Sequence, residues 1–378
     1  MKSRHFRYFS KNKQTIISIV IIIGLLIFFV IQLSAQVLPN GSRLKDLATS
    51  DTKIGSVGTY NTLFPEDGKS QQKYRTLFKR EMSAGTVLCY PKSLWKGFKQ
   101  YDFSQFNTTV NWFEDSGLVQ MAHLLVGPNQ YYPQWFLDKS YTNAQLEDIM
   151  EDYIREVMHS NNNGSKIDIW NVVNETLWLE GGAPYTGTIW NQLGTEADRS
   201  GLTGADKILD RPPVYIRRAL EIARKYTNNK LELRDNGIEF PDNDEYQMFY
   251  QLVKHLLNQG VPLDAVGFQT HLSTNDTYDW EGLKNNIRRY KDLGLEVYIT
   301  ELDVGNDGSK QGRKKQKQYY YNVVKAAREG GVDQIHLWGL NDGQMGDYRE
   351  DEFALLFEGY MEPKPAYYGF QQALNNYN

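Results

Sequence analysis

The run Lys166-Ile167-Asp168-Ile169-Trp170-Asn171-Val172-Val173, closed by Asn174-Glu175, decides how the rest of the chain is read. Isoleucine, valine and tryptophan dominate it, as they do a strand buried on both faces, and it stops abruptly in two polar residues. Seven further runs share this character: KIGSV from Lys53, TVLCY from Thr86, LVQMAHLLV from Leu118, KLELRD from Lys230, AVGFQTH from Ala265, EVYITELDV from Glu296 and QIHLWGL from Gln334. Amphipathic stretches lie between them, including YIRRALEIARKYTNN from Tyr215, YQMFYQLVKHLLNQG from Tyr246 and KQYYYNVVKAAREGG from Lys317. Their closing Gly and Asn residues suit helix C-termini. Strands alternating with helices of this length predict a parallel sheet, and eight such units predict a closed α/β barrel, a single (β/α)8 TIM barrel.

In such a barrel the chemistry sits at the C-terminal ends of the strands. The fourth strand ends at Glu175 and the seventh runs into Glu301. On a period of two, Val173 shares a face with Glu175 and Ile299 with Glu301, so both carboxylates are expected to point into the barrel mouth. Partial desolvation there would raise the pKa of a carboxylic acid, as a general acid requires. Paired carboxylates are what glycosidic cleavage needs, one to protonate the leaving oxygen and one to attack or to activate water. Fixing either carboxylate against a permanent cation, with no open groove, would exclude this chemistry. Other strand ends supply His123, Gln269, His271 and Trp338.

Together these segments resemble family 10 of the glycoside hydrolases, the endo-1,4-β-xylanases. Trp170 to Glu175 is similar to that family's W-D-V-V-N-E, and Ile299-Thr300-Glu301-Leu302-Asp303 matches I-T-E-L-D. Gly267 to Leu272 resembles G-[LI]-Q-x-H-L, His336-Leu337-Trp338-Gly339 sits where the family has its strand-eight W-G, and Leu355-Leu356-Phe357 with Pro363 to Tyr367 resembles the closing L-L-F…P-K-P-A-Y. The resemblance implies a retaining hydrolase of internal β-1,4 bonds, with Glu301 as nucleophile and Glu175 as acid/base. It implies that Asn174 bonds the sugar 2-hydroxyl, that His271 orients Glu301, and that Trp338 floors the sugar site. Gln269 and His123 are expected beside them as substrate-binding residues.

The departures fall on sugar recognition. The family's E-N-x-x-K-W after strand two is replaced by Cys89 to Trp95, its G-H-T-L-V-W-H by Ala122 to Pro128, and its N-D-Y-N by Arg234-Asp235-Asn236-Gly237. This pattern points to a polysaccharide other than plain xylan, such as an exopolysaccharide. A transglycosylase using the same covalent intermediate, and an inactive carbohydrate-binding or assembly protein on the same barrel, are the rival readings.

Composition narrows the classes. A net charge of −4 argues against a nucleic-acid partner. GxGxxG and GxxxxGK[ST] are both missing, as are zinc-binding Cys/His spacings, so neither cofactor nor metal is expected. The single cysteine, Cys89, reads as a small buried hydrophobe. At the N-terminus, Lys2, Arg4, Arg7, Lys11 and Lys13 precede an uncharged apolar run. This predicts a basic cytoplasmic segment over 1–13, a transmembrane signal-anchor helix over 14–35, a linker over 36–50 and a catalytic domain over 51–378. The expected location is a single-pass membrane protein with its catalytic domain extracytoplasmic, or secreted if the helix is cleaved. Polysaccharide synthesis or export machinery is the partner such an anchor would suit.

Overall fold

The computed structural model describes residues 41–48, 52–65, 68–177, 185, 187–196, 212–343 and 349–376. Among them, eight parallel strands form a closed barrel: β1 Lys53–Val57, β2 Ala84–Leu88, β3 Val119–His123, β4 Ile169–Asn174, β5 Lys230–Asp235, β6 Ala265–Phe268, β7 Glu296–Gly305 and β8 Gln334–Leu337. Closure comes from β8, which pairs with both β7 and β1. Each of the eight expected runs supplies one strand. The main helices on the outside are Gly68–Glu81, Ser104–Asp115, Asn143–Met158, Val214–Tyr226, Asp244–Asn258, Trp280–Lys291, Lys310–Gly330 and Pro365–Asn375. The TIM barrel expected from the alternation is therefore the fold.

Alternate strand residues face opposite ways, and the two faces differ in chemistry. Outward residues such as Val87, Trp170, Leu231, Leu233, Val266, Ile299 and Ile335 join the large apolar layer against the helices. Inside the barrel, Met121, Ile169, Ala265 and Tyr298 form a small apolar plug. Nearer the strand ends the interior turns polar. Thr86 Oγ1 lies 2.8 Å from His336 Nδ1, and Arg234 is fully buried against Glu232. This side-chain layer depends on Gly267, where an added Cβ would come within 1.9 Å of Glu232 Oε1. We expect Gly267→Ala to lower unfolding free energy by about 1–3 kcal/mol or more, because neither the backbone nor the ion pair can yield. A urea midpoint unchanged from wild type would show that the pair relocates freely.

Both strands carrying the candidate carboxylates slip register near their ends. The β4–β5 ladder shifts between Asn171 and Val173, and the β7–β8 ladder between Ile299 and Leu302. Val173 and Ile299 therefore belong to the outer apolar layer while Glu301 turns inward, so neither pair shares a face as simple alternation predicts. Bulges of this kind re-aim side chains beside active sites.

Residues 41–48, within the stretch expected as a linker, include a short helix, Leu44–Leu47. Leu44 is buried, and its N–H donates to Glu81 Oε2 at 2.9 Å. Tyr367, in the last helix, donates its hydroxyl to the same oxygen at 3.1 Å.

The expected single-pass membrane location is corrected here. Among the described residues no helix is long and apolar enough to cross a membrane. The 21-residue helix Lys310–Gly330 has the length but carries Lys310, Arg313, Lys314, Lys315 and Lys317 in its first half. Its apolar residues form one buried face only, as packing against a barrel requires. The 14–35 stretch that carried the expectation lies outside the described residues.

Candidate active site

A cleft of about 850 Å³ opens at the C-terminal face of the barrel. Its lining includes Tyr90, Tyr131, Glu175, Asp235, Gln269, His271, Glu301 and Trp338. Lys and Arg are absent from the described lining residues.

Glu301 is 4% exposed and is held from several directions. Arg234 Nη1 donates to its Oε1 at 2.9 Å, and His271 Nε2 lies 3.3 Å from Oε2. His271 owes its place to a short extension beyond β6, His271–Ser273, which pairs with the end of β7 so that His271 sits opposite Asp303. Its Nδ1 lies 2.9 Å from Asp303 Oδ2, and Arg349 in turn bonds Asp303. Burial opposes charge on this imidazole, but the two flanking carboxylates outweigh burial and lift its pKa to about 10. Burial likewise opposes charge on Glu301. The His271 hydrogen bond and the charges around it win and bring its pKa down to about 2. Among those neighbours Arg234 and His271 carry the positive charge, since burial and Arg234 hold His123 neutral with a pKa of about 3.

Glu175 behaves oppositely. It sits just past β4 with a left-handed φ of 54°, a conformation costing about 1–3 kcal/mol for a residue with a side chain. Asp235 holds the segment in place. Its Oδ2 accepts from Thr176 N–H at 2.8 Å, the Thr176 hydroxyl at 2.6 Å and Leu177 N–H at 3.1 Å. Burial dominates the Asp235 carboxyl and lifts its pKa to about 7. Glu175 Oε1 accepts from the Tyr131 hydroxyl and from Gln269 Nε2, both at 3.1 Å. Burial still raises the Glu175 pKa, against the Gln269 bond and with help from the Glu301 charge. Gln269 ties the two carboxylates together, because its carbonyl accepts the Glu301 N–H at 3.0 Å.

The remaining expected residues divide. Trp338 lines the cleft, edge-on to His271 at 6.4 Å. Asn174 is buried beside Gln269, 3.5 Å from its Nε2, and its side-chain amide helps to lower the pKa of the neighbouring Glu175. His123 does not line the cleft. It is 1% exposed, bonded to Asn171 Oδ1 at 2.9 Å, and lies behind Glu301 with Nε2 3.9 Å away.

Four residues of this site escaped the sequence reading. Tyr90 and Tyr131 stack at 5.1 Å and form one wall; Tyr131 comes from a 3-10 turn that no periodicity marks. Asp235 and Arg234 were visible only as departures from a motif. Arg234 is the permanent cation that would have excluded glycosidic chemistry in a closed site, but the groove here is open and Glu301 lines it.

A parallel barrel with two carboxylates of opposed proton affinity, one buried and one half-buried, in one open cleft is the arrangement of a glycoside hydrolase. Residues 44–373 match the family described as Glycosyl hydrolase family 10, and the chain belongs to that family. The proteins it resembles include several xylanases. Endo-1,4-beta-xylanase B of Thermotoga neapolitana is 28% identical over 314 residues, covering 80% of this chain and 84% of that protein. Endo-1,4-beta-xylanase B of Neocallimastix patriciarum is 30% identical over 271 residues, 71% of this chain but only 28% of a much longer relative. The crystal structure of xylanase 10B from Thermotoga maritima superposes with a TM-score of 0.75 at 25% identity, over 89% of this chain and 98% of that one. Xylanase 10B from Thermotoga petrophila, solved in complex with xylobiose, gives the same TM-score and identity over 90% and 99%. The protein is a xylanase-like glycoside hydrolase.

Proposed function

We propose that the protein cleaves internal β-1,4 linkages of a polysaccharide by double displacement, with Glu301 as nucleophile and Glu175 as acid and then base. The observation that carries this is the opposed state of the two carboxylates. Glu301 is held ionised by Arg234 and His271, ready to attack, while burial raises the proton affinity of Glu175, which suits it to protonate the leaving oxygen. Asn174, whose side-chain amide sits beside Gln269 and Glu175, is suited to bond a sugar 2-hydroxyl, a contact that strengthens as the transition state forms. Trp338 offers an apolar face beside the two carboxylates, and Gln269 and His271 hold those carboxylates in register.

Tyr90 lies in the segment that replaces the family's E-N-x-x-K-W, and its stack with Tyr131 lines the cleft, which favours a chain other than unsubstituted xylan. A panel of defined polysaccharides, with reducing-end detection and product sizing, tests this. We expect another β-1,4-linked polysaccharide to be cut at least about tenfold faster than unsubstituted xylan, a discrimination within reach of one or two rewritten contacts. Xylan as the best substrate would overturn the specificity, and products longer than the substrate would mark transglycosylation.

A further inference from the structure

We infer that Arg234 is a positioning residue that fixes which oxygen of Glu301 attacks and speeds release of the sugar from it. The inference rests on Glu301 acting as the nucleophile proposed above.

The two oxygens of Glu301 face different surroundings. Oε1 meets Arg234 at 2.9 Å and His123 at 3.9 Å, both residues buried below the cleft. Among the described residues Oε2 meets only His271, at a longer 3.3 Å, and His271 is part of the cleft wall. Arg234 therefore occupies the inner oxygen and leaves the outer one for the sugar. The guanidinium cannot swing away. Its Nε and Nη2 form a two-point bond to Glu232, at 2.9 and 3.0 Å, and Nη2 also contacts Met121 Sδ at 2.8 Å. A forked pair of this kind fixes direction as well as charge. Gly267 leaves the room that Glu232 needs on the adjoining strand. The other ionisable groups facing Glu301 are Glu175 and the Tyr90 and Tyr131 phenols across the cleft, with Asp303 and Arg349 behind His271.

In the first step Oε2 donates a lone pair to the anomeric carbon. The glycosidic C–O bond breaks, and the leaving oxygen takes the Glu175 proton. Oε1 becomes the carbonyl oxygen of an ester, still bonded by Arg234. In the second step water attacks the same carbon and passes its proton to Glu175. The C–Oε2 bond breaks, and its electron pair returns to the carboxylate. Negative charge reappears on Glu301 in that step, and Oε1 shares it beside the guanidinium. Arg234 thus makes Glu301 a better leaving group, at some cost to its power as a nucleophile.

The test is the lifetime of the glycosyl-enzyme formed from 2,4-dinitrophenyl β-xylobioside or β-cellobioside, read by intact mass after rapid substrate removal. Arg234→Met combined with Glu232→Gln leaves no unpaired buried charge. We expect this double variant to hold the adduct about 100-fold longer, with kcat and KM falling together and kcat/KM changing far less. Arg234→Lys should restore most of the breakdown rate. Glu232→Gln alone keeps the cation on Glu301 and should not lengthen the lifetime; this variant decides the matter should the double variant fail to fold. An active wild type with an unchanged lifetime in the double variant, or a longer one in Glu232→Gln, overturns the role of Arg234. Turnover of either glycoside by Glu301→Ala at the wild-type rate overturns the nucleophile assignment, and the inference falls with it.

Discussion

Glu301→Ala is expected to lose turnover of a natural linkage by about 10⁵–10⁶-fold, the scale on which a covalent nucleophile is missed. The reason is geometric. With Glu301 gone, Oε2 no longer faces the anomeric carbon, and no other described carboxylate sits between Arg234 and His271. The variant leaves a small anion-shaped space walled by a guanidinium and an imidazolium, so azide or formate added to the buffer should enter it. With a dinitrophenyl β-glycoside, azide should restore activity and yield the α-glycosyl azide, because it attacks from the side that Glu301 occupied. Turnover within tenfold of wild type, or rescue by neutral additives alone, would remove Glu301 from the chemistry.

The second expectation concerns Glu175→Ala, whose losses should depend on the leaving group. Cleavage of a sugar–sugar bond or of an aryl glycoside with a basic phenol should fall by about 10³–10⁴-fold, near the upper range of general acid catalysis. A dinitrophenyl glycoside needs no proton to depart, so its first step should hardly change. Azide should then replace the missing base and trap the ester as the β-glycosyl azide. The pH profile follows from the same two groups. Glu301 stays ionised down to about pH 2, so activity should not fall on the acid side until well below the usual carboxylate range. Burial raises the Glu175 pKa, so the alkaline limb should mark loss of its proton, and Glu175→Ala should abolish that limb. Equal losses on good and poor leaving groups would sink the acid assignment.

The barrel was legible because strand and helix runs differ in composition as well as period. Even the polar strand Lys230–Asp235 showed itself by strict alternation, with Leu231 and Leu233 outward and Glu232 and Arg234 inward. The expected carboxylates do face one cleft, but simple alternation along their strands is not what aims them. Period-two counting fails across a register slip, and the left-handed turn at Glu175 is enforced by Asp235 from the next strand. Such a contact is written in no local pattern. Opposite charges two residues apart on the inward side of this strand, Glu232 and Arg234, were the available clue to the buried pair, and a second charge partner for Glu301 could have been sought there. The Tyr90–Tyr131 wall left no comparable trace, since loop geometry alone brings the two rings together.

Glu81 has a consequence for anyone trimming this chain. One fully buried carboxylate accepts a hydrogen bond from the Leu44 N–H and another from the Tyr367 hydroxyl, so the beginning and end of the described fold meet on one acid. A gene fragment opened at Asp51 would remove the Leu44 bond and leave Glu81 with Arg80 and Tyr367 as its partners. Loosening should then surface at the far C-terminal helix, hundreds of positions from the cut.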